Sequence, residues 1–181
     1  MIKKSIELSG QTLTIETGRM AKQASGSVLV TYGETIVLVA STANQGIELD
    51  RGFFPLTIDY REKFYASGKI PGGFFRREAR PSEQEIIGAR LTDRPLRPLF
   101  PDGFYNETHI FINILSFDGE NNGNILGTLG ASASLSISDI GRGNALTTPY
   151  CGLISLNRKK SPYFTRFLTQ AVILNSILSV S

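Results

Sequence analysis

Cysteine occurs once in the 181 residues, at Cys151, which excludes an internal disulfide and fits either a reducing, cytoplasmic setting, the expected localisation, or simple indifference to redox conditions. Histidine also occurs once. His109 has no Cys or His at metal-ligand spacing, so it reads as a structural histidine and no metal centre is expected on it. The opening MIKKSIELSGQTL carries two lysines without an apolar segment behind them, so no signal peptide is expected. The longest apolar-rich run, FLTQAVILNSILSVS at 167–181, falls short of the ~20 residues a membrane span requires, so no membrane partner is expected.

Charge of one sign is missing from two stretches. Residues 98–140 hold 5 acidic side chains and no lysine or arginine, whereas residues 141–181 hold 5 basic side chains and no acidic one. Between the two hydrophobic hairpin regions and these stretches, residues 61–97 carry 9 basic and 5 acidic side chains. The net charge of +3 therefore conceals a basic segment in the middle of the chain. Such a segment suits a polyanion, nucleic acid or phosphate, or else is a solvated helix face. With 41% hydrophobic residues, the chain is of the length and composition that build one domain around a sizeable core.

The first 60 residues read as β structure. KKSIELSG and QTLTIETG alternate apolar and polar residues around Ser9-Gly10, a hairpin signal. GSVLVTYGETIVLVAST forms a second hairpin around Tyr32-Gly33-Glu34, and the run from Ile36 to Ala40 suits a strand covered on both faces. FFPLTIDYREKFYASG is a further β stretch with Leu56, Ile58 and Tyr60 on one face. Ser82 and Glu85 then make an S-x-x-E capping box for a helix from about Glu83 to Asp93, with Ile86, Ile87 and Leu91 directed to the core. On that helix Arg90 and Arg94 share a face. Pro95 and Pro98 are expected to stop it and to leave RPLRPLFPDG extended. THIFINILSF reads as a strand, DGENNGN as a polar turn and ILGTLGASASLSISDI as a small-residue helix suited to close packing on a sheet. Asp118 in that turn is explained by local hydrogen bonding, and Ser132, Ser134, Ser136 and Ser138, with no base beside them, by packing. The order of elements predicts an α+β domain with a mixed sheet over residues 1–140.

The chemistry concentrates in GKIPGGFFRREARPSEQE at 68–85, where Phe74 and Phe75 adjoin Arg76 and Arg77, with Arg80 close behind. Two readings are open. Rings and guanidinium groups on a glycine-hinged loop suit a single nucleic-acid strand, whose bases stack on the rings while arginine forks take the phosphates. Alternatively, Phe74 and Phe75 plug a core edge, and Arg76, Arg77 and Glu78 form surface ion pairs.

The stretches ETGRMAKQASGSVLVTYGETIVLV, FFPLTIDYREKFYASGKIPGGFFRREARPSEQEIIGARLTDRPLRPLFPDGFYNE and LGTLGASASLSISDI resemble the polyribonucleotide nucleotidyltransferase (polynucleotide phosphorylase) family. The similarity is to its first ribonuclease-PH-like core domain, over residues 3–140. It implies a ribonuclease-PH-like fold of the ribosomal protein S5 domain 2 type, incomplete at its C-terminal end. It also implies a 3′-to-5′ phosphorolytic exoribonuclease and polymerase that uses inorganic phosphate and Mg²⁺ and releases nucleoside diphosphates. The implied partners are single-stranded RNA, two further subunits of a homotrimeric ring, and proteins of an RNA-decay assembly. The resemblance places Phe74, Phe75, Arg76 and Arg77 in the loop that grips RNA, with Arg80 behind them. Arg90, Arg94 and Arg97 are supporting positions for which ion pairing within the domain is an equal expectation. The family's phosphate-binding serines and metal-binding aspartates belong to its second core domain, so no catalytic or metal residue is assigned here. An isolated chain is expected to bind RNA without cutting it, as a non-catalytic fragment or inactive gene remnant.

Residues 141–181 depart from this pattern. GRGNALTTPYCGLISLNRKKSPYFTRFLTQ does not resemble the family's continuation and carries none of the acidic residues its length predicts. A reading-frame shift near residue 140, or a divergent short paralogue, is the expectation for that tail.

Overall fold

The computed structural model describes residues 1–44, 52–72, 74, 77–78, 80–101 and 103–140. The expectations for the tail at 141–181, and for the side chains of Phe75 and Arg76, lie outside the described residues. One six-stranded sheet, its strands in chain order except that the last two are exchanged, carries two helices. Strands β1 (Ile2–Leu8), β2 (Gln11–Thr17), β3 (Gly26–Tyr32) and β4 (Thr35–Ala43) form an antiparallel meander. Its first turn places Ser9 at φ 52° and Gly10 at φ 82°, the two left-handed residues of a type I′ hairpin that follows the sheet's right-handed twist. Strand β6 (Thr108–Ser116) pairs antiparallel with β4 and parallel with β5 (Leu56–Glu62), so the sheet is mixed. The β5 to β6 connection runs through α1 (Glu83–Leu96), and α2 (Gly123–Ile137) follows β6.

The core lies on one face of the sheet. Val37, Val39, Ile110, Ile112 and Ile114 are completely buried beneath the helices. Strand β4 alternates: its odd positions are sealed, while Ile36, Leu38 and Ala40 on the other face are half-buried. The expectation of a strand covered on both faces therefore holds for one face only. Helix α2 reaches the sheet through Gly123, Gly127 and Gly130. A Cβ at Gly130 would lie 2.6 Å from a Val39 methyl, and one at Gly127 would lie 2.8 Å from a methyl of Ile112. Glycine is needed there because the helix backbone itself rests on the strand side chains. Ser134 and Ser138 are buried and return their hydroxyls to the helix carbonyls of Ala131 and Leu135. In the turn before α2, Asp118 accepts from the backbone N–H groups of Glu120 and Asn121. These bonds, that to Asn121 foremost, hold its carboxyl well below the usual range.

Helix α1 corrects two expectations. Its buried residues are Glu85, Gly88, Thr92 and Leu96, whereas Ile86, Ile87 and Leu91 are about half exposed. The buried stripe is polar because each polar group finds a partner. Thr92 Oγ1 lies 3.0 Å from Thr128 Oγ1 of α2, and Glu85 bonds to two backbone N–H groups. The helix also runs past Asp93, with Pro95 inside its last turn, and continues as a 3-10 turn at Arg97–Leu99. The RPLRPLFPDG segment is thus helical at its start rather than extended. Arg97 makes this possible: it forks onto Asp93 and donates to the Phe54 and Leu56 carbonyls at 2.8 and 3.1 Å. Phe54, Phe100 and Phe104 pack together beneath it, with ring centroids 4.5 to 5.6 Å apart.

Candidate nucleic-acid interface

The loop at 68–80 leaves the sheet at the C-terminal end of β5 and returns at the start of α1. Lys63 leads from β5 into a 3-10 turn, Phe64–Ser67, which Gly68 closes in the left-handed conformation at φ 65°. The β stretch read through Lys63 to Tyr65 therefore ends at Glu62. The turn is tied to the domain by Ala66, which is buried and accepts from the Phe117 backbone N–H at 3.0 Å.

On the return side the predicted capping box is present. Ser82 Oγ accepts from Glu85 N at 3.2 Å, and Glu85 Oε2 accepts from Ser82 N at 2.6 Å. The other carboxylate oxygen accepts from Glu62 N at 2.9 Å. One buried side chain thus joins the residue where the loop departs to the residue where it comes back. A second carboxylate reinforces the joint. Glu78 accepts from Phe64 N at 2.7 Å and pairs with Lys63 Nζ at 2.8 Å. The Lys63 bond, then the Phe64 N–H, draws the Glu78 carboxyl below its ordinary value.

Between these anchors the described residues Phe74 and Arg77 face outward. Phe74 is 95% exposed, which excludes it as a core plug. Arg77 and Arg80 are exposed and enter no ion pair among the described residues; the partner of Glu78 is Lys63, not an arginine. The reading of a plugged core edge with local arginine pairs therefore fails for the residues that are described.

The three supporting arginines divide. Arg97 is committed to Asp93 and to two carbonyls, and its guanidinium sits 5.9 Å from the Phe54 ring centre, so its role is to hold the fold. Arg90 and Arg94 lie one turn apart on the exposed side of α1 and enter no ion pair among the described residues. Arg77, Arg80, Arg90 and Arg94 are thus four exposed arginines without an ion pair among the described residues.

Other candidates carry no such arrangement. His109 lies 3.1 Å from Glu107 Oε1 and stacks on Phe111, with its ring 6.2 Å away. Among the described residues no group of three His, Cys, Asp or Glu side chains could hold a metal ion. A cavity of about 420 Å³ opens between α1 and the start of α2, lined by Glu62, Gln84, Ile87, Phe117 and Asn124 among others. Asn124 Oδ1 is buried there without a hydrogen-bond partner, directed at the Cα of Gly88. Beside it, burial and the Glu62 carboxylate push the Tyr60 hydroxyl well above its ordinary pKa, so Tyr60 stays a neutral donor to Glu62. No helix among the described residues is long and apolar enough to cross a membrane.

Sequence reasoning found the loop and the capping box but missed Glu78 and the second bond of Glu85. Both reach backbone groups distant in sequence, and no local pattern marks such contacts. Phe64 and Tyr65, 46% and 61% exposed at the root of the loop, were hidden inside an apparent strand.

Comparison with known proteins agrees with the fold. The 3′ exoribonuclease family, domain 1, matches residues 9–141. A polyribonucleotide nucleotidyltransferase of Rhizorhabdus wittichii is 54% identical over 138 residues, covering 76% of this chain and 18% of that protein. The corresponding protein of Thermomicrobium roseum is 59% identical over 140 residues, with the same coverage of each. The chain therefore spans about a fifth of the length of these relatives. Among solved structures, a chain of the Archaeoglobus fulgidus exosome with RNA bound to the active site superposes with a TM-score of 0.50. It is 23% identical, and the match covers 75% of this chain and 52% of that one, a likeness of fold.

Proposed function

This chain belongs to the 3′ exoribonuclease family, and from that premise we propose that it supplies the RNA-gripping first core domain of a 3′-to-5′ phosphorolytic exoribonuclease. The observation that carries the reading is the loop at 68–80. It presents an exposed aromatic ring, Phe74, and two exposed arginines, Arg77 and Arg80, that enter no ion pair among the described residues, between two anchors made by Glu78 and Glu85. Single-stranded RNA matches that chemistry. Bases stack on rings whatever their sequence, and arginine forks take phosphate oxygens. Phe74, Phe75, Arg76 and Arg77 contact the strand, and Arg80, Arg90 and Arg94 extend the positive surface beside it. Arg97 acts only by holding α1 to β5.

In phosphorolysis an oxygen of inorganic phosphate attacks the phosphorus of the last phosphodiester. The bond to the 3′ oxygen of the preceding nucleotide breaks, releasing a nucleoside diphosphate and an RNA one residue shorter. The contribution of this domain is to hold the strand so that its 3′ end is presented. Mg²⁺ belongs to the family's reaction, but the described residues do not fit it, because no cluster of ligating side chains is present among them. No step is assigned to the ion here. A ring of three such subunits, within an RNA-decay assembly, is the setting in which loops of this kind would surround one strand.

The alternative reading is a non-catalytic RNA-binding fragment. The test has two arms. Binding of oligoadenylate to the 181-residue chain, measured by fluorescence anisotropy, is expected to weaken in the Arg76→Ala/Arg77→Ala variant and to flatten in its salt dependence; unchanged binding overturns the loop's role. Incubation with phosphate and Mg²⁺ then decides between the readings, with ADP release favouring the catalytic one and its absence the fragment.

A further inference from the structure

We propose that Phe64 and Tyr65 form a second, fixed stacking platform for the bases of single-stranded RNA at the root of the loop. The proposal rests on the reading of residues 68–80 as an RNA grip and extends it to a separate element.

The two rings face solvent on consecutive residues, although much of the protein's aromatic surface is packed away. Phe54, Phe100 and Phe104 pack on one another and Tyr60 is 3% exposed, whereas Phe64 and Tyr65 are 46% and 61% exposed on consecutive residues. Their mounting is rigid. Gly68 N and Lys69 N donate to the Tyr65 and Phe64 carbonyls, each at 3.0 Å, Phe117 N holds the Ala66 carbonyl, and Glu78 holds the Phe64 N–H. A ring fixed in this way loses little freedom when a base lies on it, so more of the stacking energy appears as affinity.

Basic residues lie close to the pair in sequence and through Glu78. Arg77 adjoins Glu78, whose carboxylate accepts from Phe64 N, Lys63 precedes Phe64 and pairs with that carboxylate, and exposed Lys69 follows the turn. Rings on a fixed mount, with guanidinium and ammonium groups at the spacing of neighbouring residues, suit a flexible polyanion that carries flat apolar faces. An acidic protein surface would use the cations but would gain little from two exposed rings that share no groove. A strand gripped by the loop tip therefore continues onto the root, with one base over Tyr65 and the next toward Phe64.

Tyr65 is the cleaner residue to change, since its side chain is the more exposed. In the 181-residue chain, Tyr65→Leu is expected to lower the affinity for a 2-aminopurine-labelled oligoadenylate by about 5- to 150-fold, the range one base–aromatic stack supplies. The salt slope is expected to stay that of the parent, Tyr65→Phe to bind as the parent does, and the binding-dependent quenching of 2-aminopurine to be lost in Tyr65→Leu. Unchanged urea midpoints for both variants exclude a folding effect. Arg76→Ala/Arg77→Ala is measured alongside. If Tyr65→Leu binds as the parent while the arginine variant weakens, the platform is overturned and the loop reading stands. If neither variant changes binding, or the parent binds no RNA, both fall. If Tyr65→Leu abolishes self-association in sedimentation without changing RNA affinity, the rings serve contacts between copies and the platform is likewise overturned.

Discussion

Replacing Glu85 by alanine is the perturbation that bears most directly on how the loop is held. The carboxylate is 7% exposed, and both of its oxygens are used. Oε2 accepts from Ser82 N at 2.6 Å and Oε1 from Glu62 N at 2.9 Å. A hydrogen bond to a charged group is worth roughly 1.5–3 kcal/mol. The Ser82 N–H is at an exposed residue and regains water when the carboxylate is removed, so its loss falls at or below the low end of that range. The Glu62 N–H lies at the end of a half-buried strand and recovers less. The two together give a destabilisation of about 3 kcal/mol for Glu85→Ala. Glu85→Gln retains a single acceptor oxygen, so one N–H loses its partner and the cost is about 1.5 kcal/mol. Ser82→Ala removes only the cap acceptor and costs about 1 kcal/mol. Urea unfolding followed by circular dichroism at 222 nm reads the series. With a slope near 1.5 kcal/mol per molar urea, Glu85→Ala lowers the midpoint by about 2 M. A Glu85→Ala midpoint within about 0.3 M of the parent, or equal midpoints for the alanine and glutamine variants, would refute the account of Glu85 as a two-ended tie.

Further outcomes follow from other contacts. Gly130→Ala places a methyl 2.6 Å from Val39 Cγ2 and 3.1 Å from Val30 Cγ2, and is expected to destabilise by about 1–3 kcal/mol in the same assay; a neutral effect would show that α2 can lift from the sheet without loss. Glu78 has a folded pKa held below its ordinary 4.5 by Lys63 and the Phe64 N–H, so its anchoring is complete above that value and is lost only as pH falls through the lowered one. The Phe64 amide resonance should therefore titrate with a midpoint under 4.5 in the parent and lose that transition in Glu78→Gln; a midpoint at or above 4.5 contradicts the anchoring. Removing Arg76, Arg77 and Arg80 together is expected to make the slope of log affinity against log salt shallower by about 2, at roughly 0.7 per phosphate contact on a single strand. An unchanged slope in anisotropy titrations would mean that these cations do not meet phosphates.

The hairpins, the mixed sheet, the capping box and the small-residue helix were legible because each is written in local text. Ser9-Gly10 carries its turn in two residues, and Ser82 with Glu85 in four. Helix α1 misled the reading because hydrophobic periodicity assumes that the buried stripe is apolar. Here Glu85, Gly88, Thr92 and Leu96 go inside, each polar one satisfied by a partner on β5 or α2, and the isoleucines stay out. Pro95 misled it too, since the clamp of Arg97 on the Phe54 and Leu56 carbonyls holds the last turn beyond a residue that ordinarily ends a helix. The exposed loop was legible as rings beside arginines. Its fastening was not, because Lys63 and Glu78 meet across 15 positions of sequence and only the fold brings them together.

The parallel pairing of β5 with β6 has a mechanical consequence. Any ligand held by the loop would pull on the segment that leaves β5, and Glu85, bonded to both Ser82 N and Glu62 N, would pass part of that tension from the returning segment to Glu62. A pull along the strand axis meets seven registered pairs, from Leu56 with Thr108 to Glu62 with Ile114, loaded side by side. They yield together or not at all. The same pairs pulled sideways would open one after another, at far lower force. The edge of this sheet is built as a shear joint, able to bear a load that arrives from its end.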